Sequence, residues 1–240
     1  MRLFRLLAVL VTAFAAVSCT TAPSPIEQSE QSEQSEEPTV ATAPSANEYY
    51  VRAGEAWDDP DRALSDYSRA IELDPEFALA YFARARIYRG AGDPRAAVRD
   101  YDAAIARDPG LVQAYRERGE VRMWDLGDKD GVDDFLMAYE LDPDDLRTAL
   151  AYAGLIAWDD PATAALIYNR MVELYPNRSD SYLARAKFKR DRGDFAAAIQ
   201  DFQTVLESGN REPWLRAELV MLQLATGDAA AAAAAESLAR

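Results

Sequence analysis

The chain has 240 residues, a formal net charge of −15 at pH 7 and a pI of about 4.5. That acidity argues against nucleic acid as a partner, because phosphate contacts need a basic patch. With no His and a single Cys, histidine acid–base catalysis, Ser–His triads, His/Cys zinc sites and an intrachain disulfide are all excluded, and no cofactor or metal is expected. Residues 1–18 start with Arg2 and Arg5, run through an apolar stretch from Leu6 to Val17, and end on small residues before Cys19. The run is short for a membrane span and has the layout of a cleaved targeting segment. The following stretch, to residue 43, carries repeated Glu-Gln-Ser and scattered Pro. It cannot bury enough surface to offset its ordering entropy. It reads as a spacer with a free span of about 25–30 Å.

From residue 44 the chain repeats. Pro75, Pro109 and Pro143 each follow an Asp and lie 34 residues apart, a period that marks stacked helix–turn–helix units. The clearest unit is 78–111. Tyr81, Ala85 and Tyr88 recur at i, i+4 and i+7 on one helix face, and Ala97, Tyr101 and Ala104 do so on the next. Large residues of one helix then fill the space left by Ala on the other. Gly92 ends the first helix, Asp93 caps the second, Pro94 opens it and Pro109 closes it.

Further units are expected at 44–77, 112–145, 146–178 and 179–212, with a partial one at 213–240. The first has Ala63, Tyr67, Ala70 and Pro75 in its second helix, after a Trp57-Asp58-Asp59-Pro60 turn. The third has Tyr115, Gly119, Phe135, Ala138 and Pro143, but its turn glycine, Gly127, comes one place late. The fourth drifts: Pro176 is one residue early and Met171 replaces a small residue, after a Trp158-Asp159-Asp160-Pro161 turn. The fifth has Tyr182, Ala186, Gly193, Phe195, Ala198 and Phe202. The last has Trp214 and Gly227-Asp228, and its alanines from Ala229 to Ala235 read as a thin capping helix.

The seventh position is Arg84, Arg118 or Arg185 in three units, and the twenty-third is Asp100, Asp134 or Asp201 in the same three. An antiparallel hairpin brings these positions level, so Arg84–Asp100, Arg118–Asp134 and Arg185–Asp201 are expected as structural ion pairs. The first unit has Asp66 but Tyr50, and the fourth has Tyr152 and Ile167. Pairing to the next unit, as Asp66 with Arg84, is the alternative.

The unit resembles the tetratricopeptide repeat (TPR). The resemblance implies an all-α, right-handed superhelical solenoid of about five repeats plus a partial sixth or capping hairpin. It also implies a concave groove lined by the first helix of each hairpin, at positions 2, 5, 6, 9, 12 and 13. On this chain those positions include Tyr49, Arg52, Phe82, Arg86, Arg89, Arg116, Glu120, Met123, Trp124, Leu150, Trp158, Leu183, Lys187, Arg190 and Trp214. Cations mixed with aromatics suit an extended or helical peptide that carries carboxylates. Trp124 and Trp158, beside the turns, read better as turn packing. The ninth position is Arg or Glu in the first three units, which departs from the Lys/Asn clamp of chaperone-tail-binding TPR proteins.

The end of the targeting segment, Ala16-Val17-Ser18-Cys19, resembles the bacterial lipobox. That implies cleavage before Cys19, acylation of Cys19 and, with Thr20 next, anchoring in the outer membrane facing the periplasm. The expected function is a lipid-anchored scaffold for protein partners in the cell envelope, such as cell-wall hydrolases or secretion and pilus assembly factors. Self-association as a homodimer through the end helices is the alternative. Catalysis is not expected. The carboxylate clusters Asp58-Asp59, Asp133-Asp134, Asp159-Asp160 and Asp142/Asp144/Asp145 fall at turns and helix starts, where acids cap and complement the dipole.

Overall fold

The computed structural model describes residues 43–56, 58–210 and 212–227. Cys19 and the targeting segment, the spacer up to residue 42, Trp57, and the alanines from Ala229 to Ala235 lie outside the described residues. Every regular element described is helical. The helices are α1 (Ala46–Glu55), α2 (Pro60–Leu73), α3 (Ala78–Gly90), α4 (Pro94–Arg107), α5 (Val112–Glu120), α6 (Gly131–Leu141), α7 (Leu146–Ile156), α8 (Pro161–Leu174), α9 (Ser179–Asp191), α10 (Phe195–Glu207) and α11 (Pro213–Ala225). A π-helical turn, Val121–Asp125, extends α5.

Local chemistry sets the starts of the second helices. Asp59, Asp93 and Asp160 each accept a hydrogen bond from the backbone N–H three residues on, and a Pro occupies the first turn. An Asp in this role contributes about 1 kcal/mol. Gly92, Gly193 and Gly127 end the first helices with φ of +79°, +80° and +69°, where a Cβ would be strained.

The helices pair as α1/α2, α3/α4, α5/α6, α7/α8 and α9/α10, and each hairpin stacks on the next. Contacts run mainly between sequence neighbours, so this is a solenoid rather than a globule. Within α3/α4, Ala85, Ala97, Tyr101 and Ala104 have no exposed surface. Ala186, Ala198 and Phe202 repeat that arrangement in α9/α10. In α5/α6 the closest approach falls on two glycines. A Cβ on Gly119 would lie 2.9 Å from the Gly131 carbonyl oxygen and 3.0 Å from the Phe135 ring.

The changes of register in the first, third and fourth units lie in the turns or just before them. The second helices α2, α4 and α8 keep the same length of 14 residues. Buried Ala153 precedes Pro161 by one residue fewer than buried Ala85 precedes Pro94. The early Pro176 therefore reflects a shorter turn ahead of α8, with α8 itself complete. In α1/α2 the turn is shorter by two, with buried Ala53 standing where Ala85 stands in α3. In α5 the late Gly127 is absorbed by the π turn: Leu126 N–H donates to the Val121 carbonyl at 3.0 Å, five residues back.

An arginine ladder runs along the stack. Arg84 Nε and Nη2 donate to Asp100 at 2.7 and 2.9 Å. Arg118 binds Asp134 at 2.6 and 3.2 Å, and Arg185 binds Asp201 at 2.7 and 2.9 Å. The remaining Nη1 of each arginine turns back to the preceding hairpin: to Ser68 at 3.0 Å, Asp102 at 2.6 Å and Asn169 at 3.1 Å. One guanidinium thus ties two hairpins together. Asp66 does not pair with Arg84. It takes Nε of Arg52 at 2.7 Å and a second bond from Nη2 of the same residue. In the fourth unit, which lacks the pair, Tyr152 stacks on Tyr139 with ring centroids 5.4 Å apart.

Candidate functional site

The two-residue shift in α1 relocates two of the expected groove residues. Arg52 lies over the Tyr49 ring at 4.5 Å and binds Asp66, as Arg84 lies over Tyr81 at 5.7 Å and binds Asp100. Tyr49 and Arg52 therefore take the places that Tyr81 and Arg84 hold in the ladder. Met123 is re-aimed for a related reason. One extra residue in the π turn rotates the side chains after it by about 100°, and Met123 then packs into its own hairpin. A Cβ on Gly131 would come 2.5 Å from Met123 Cγ. Trp124 packs edge-on against Phe135 at 5.7 Å. Phe82 is part-buried against Tyr101, at 5.9 Å, and Leu150 packs against the α7/α8 core.

Of the other expected groove residues, Arg86, Arg89, Arg116, Glu120, Trp158, Leu183 and Lys187 gather into two clefts along the first helices, and Arg190 and Trp214 line neither. The first lies across α3, α5 and the start of α7, has a volume of about 440 Å³, and is lined by Arg86, Arg89, Gly90, Arg116, Glu117, Glu120 and Arg147. Its charges are largely spent on one another. Arg89 reaches Glu120 at 2.7 Å and Asp125 at 3.2 Å. Arg116 reaches Glu120 at 3.0 Å and Glu117 at 3.5 Å, and is only 7% exposed. Arg86 approaches Glu117 at 3.5 Å, and the Tyr101 hydroxyl donates to the same carboxylate at 3.0 Å. Burial, then the Glu117 charge, pushes the Tyr101 phenol far above its ordinary range. Arg147 makes no ion pair among the described residues.

The second cleft lies between α7 and α9, with Tyr168 of α8 on its wall, and has a volume of about 470 Å³. Gly154, Ala157 and Ala184 leave room beside Leu183, Phe188 and Trp158. Trp158 is 75% exposed, so it rims the cleft rather than packing the turn as expected. Lys187 also lines the cleft, with Nζ over the Trp214 ring at 5.3 Å. Burial, with a smaller contribution from the Asp191 charge, pushes the Tyr168 phenol up to about 12. Arg190 is turned away to Glu218 of α11, at 3.0 Å, and to Asp191 at 2.8 Å.

Sequence reasoning missed Glu117, Arg147, Asp180 and Ala184 on these walls. All four occupy the second or sixth position of their units, so the same positional rule would have found them. It missed Tyr168 and Phe188 because those are core positions that the small residues of α7 leave open. Among the described residues no cluster of acids could hold a metal ion, and no helix is long and apolar enough to cross a membrane.

Comparison with known proteins agrees with this geometry. Residues 67–99 match the tetratricopeptide repeat family model. No curated protein matches the chain. Among solved structures, PilF of Pseudomonas aeruginosa is similar at a TM-score of 0.65 and 19% identity, over 79% of this chain and 88% of that one. PilW, a type IV pilus biogenesis factor, is similar at 0.65 and 19%, over 80% and 91%. YrrB, a TPR protein with an unusual peptide-binding site, is similar at 0.57 and 18%, over 71% and 89%. At these identities the likeness is one of fold, and the described helices form a tetratricopeptide-repeat solenoid.

Proposed function

We propose that this protein is a lipid-anchored scaffold that binds protein partners along the face made by its first helices. It would work in the bacterial cell envelope, held by Cys19 to the outer membrane and facing the periplasm. The observation that carries the reading is the pair of clefts at equivalent places on successive first helices, one charged and one apolar. A solenoid exposes such a face continuously, which suits an extended or helical segment of another protein. The resemblance of Ala16-Val17-Ser18-Cys19 to a lipobox supports the anchor, and the likeness to PilF and PilW favours partners from pilus assembly over cell-wall hydrolases.

A photo-crosslinking residue placed at Arg86 or Lys187 in cells should capture a partner, whereas one at Arg99 on α4 should not. Equal capture from Arg99 would overturn the assignment of the face. Cys19→Ala should move the protein from the membrane to the soluble fraction, and retention of the variant in the membrane would refute the anchor.

A further inference from the structure

The two clefts differ in what they leave available to a partner. In the charged cleft, Arg86, Arg89 and Arg116 already face Glu117 and Glu120 at 2.7–3.5 Å. A ligand carboxylate meeting any of those three must displace a carboxylate that the protein itself supplies, so little is gained. Arg147, also on that wall, has no ion pair among the described residues but has no apolar side chain beside it in the lining. The α7/α9 cleft is different. Its wall is apolar, and Trp158 stands exposed at the rim with a face to offer. The acids beside it are engaged: Asp180 by Arg178 at 2.6 Å and Asp191 by Arg190 at 2.8 Å. Its other two charges, Lys187 and Arg192, have no carboxylate within salt-bridge reach among the described residues. The charge left over is therefore positive and lies next to the apolar wall.

We propose that this cleft is the anchor subsite of the binding face, and that its occupant is a partner-protein segment in which a large apolar or aromatic side chain stands beside a carboxylate. The side chain enters between Ala157, Ala184 and Phe188 and stacks on Trp158. The carboxylate meets Lys187 and Arg192. A volume of about 470 Å³ takes one such side chain with its flanking backbone. A buried aromatic contact of this kind dominates an interface, while rim charges mostly set preference. The inference rests on the proposed role of the first-helix face.

The test is selection of a random dodecapeptide library, displayed on phage, against the full chain. The selected peptides should share a Phe, Trp or Leu within two positions of an Asp or Glu. Trp158→Ala should weaken their binding by at least about tenfold, and Lys187→Glu should turn the preference towards Lys and Arg. Both side chains are exposed, so circular dichroism of the variants should match that of the parent. Three results would overturn the proposal: peptides without the pairing, no selected peptides, or binding unchanged by Trp158→Ala. If Arg86→Glu abolishes binding and Trp158→Ala does not, the binding face survives and the anchor subsite fails. If neither variant matters, both fail. A concentration-dependent dimer in sedimentation that Trp158→Ala dissolves would assign the cleft to a second copy of this chain and would likewise overturn the proposal.

Discussion

Truncating Arg84, Arg118 and Arg185, three of the four ladder arginines, should give unequal losses of stability. Arg84→Ala leaves Asp100, whose side chain is 10% exposed, with no cation in reach among the described residues. Removing one partner of a buried pair costs about 3–5 kcal/mol. Since Asp100 keeps a little solvent, we place Arg84→Ala at about 3 kcal/mol, the low end of that range. Arg118→Ala leaves Arg122 at 3.3 Å from Asp134, and Arg185→Ala leaves Lys189 at 2.9 Å from Asp201. With a second cation in place, those losses should be about 1–2 kcal/mol each, between the values for exposed and buried pairs. Urea unfolding of the full chain followed by circular dichroism would measure the order. Hydrogen exchange would locate the damage in α3 and α4, which matters because stacked repeats need not unfold in one step. Replacing both partners, Arg84→Met with Asp100→Leu, should recover most of the loss. A loss for Arg84→Ala no larger than that for Arg185→Ala, or within about 0.5 kcal/mol of the parent, would refute the view that Asp100 depends on a single buried contact.

The same Gly→Ala change should have opposite signs at two helical sites. At Gly119 the new methyl meets backbone and ring at 2.9–3.0 Å. The expected overpacking cost of about 1–3 kcal/mol outweighs a helix-propensity gain of at most about 1 kcal/mol. At Gly154 the nearest atom, the Tyr168 hydroxyl oxygen, is 3.6 Å away, so up to about 1 kcal/mol of propensity gain should appear as a higher thermal midpoint. Thr148→Val should stabilise by about 1 kcal/mol in urea, because the buried Thr148 hydroxyl has no hydrogen-bond partner among the described residues. At alkaline pH, Tyr168 holds its proton up to about 12, above the unfolded value of about 10. Its contribution is complete below about pH 10 and is lost as pH rises through about 12; in Tyr168→Phe, ultraviolet tyrosinate titration should lose a late step. At acid pH the signs reverse. Arg52 holds the Asp66 carboxyl below its ordinary range, so its contribution is full above about pH 4 and is lost as pH falls through the lowered value. Asp66→Asn should flatten that part of the acid-unfolding curve.

The repeat was legible in the sequence because each of its marks acts locally. Asp-Pro at 59–60, 93–94 and 160–161 caps and opens a helix, and Asp-Pro at 74–75, 108–109 and 142–143 stands where one ends. Ala85, Ala97 and Tyr101 alternate small with large within one hairpin, so their spacing alone implies a face. The arginine and aspartate of the ladder share that period, so their pairing within a hairpin could also be anticipated. Its second half could not, because Ser68, Asp102 and Asn169 belong to the preceding hairpin and follow no common residue type.

The composition of the proposed binding face was decided only by tertiary structure. A turn two residues shorter moved Tyr49 and Arg52 into the ladder, and a π turn set Met123 against Gly131 of its own hairpin. A helix rotates about 100° per residue, so one insertion re-aims every side chain after it while barely altering the pattern of residue types. Pairing is equally hidden. Arg86 and Lys187 occupy the same position in their units, but Arg86 faces Glu117 and Lys187 faces an aromatic ring. Which cation remains available depends on what the neighbouring hairpin places opposite it.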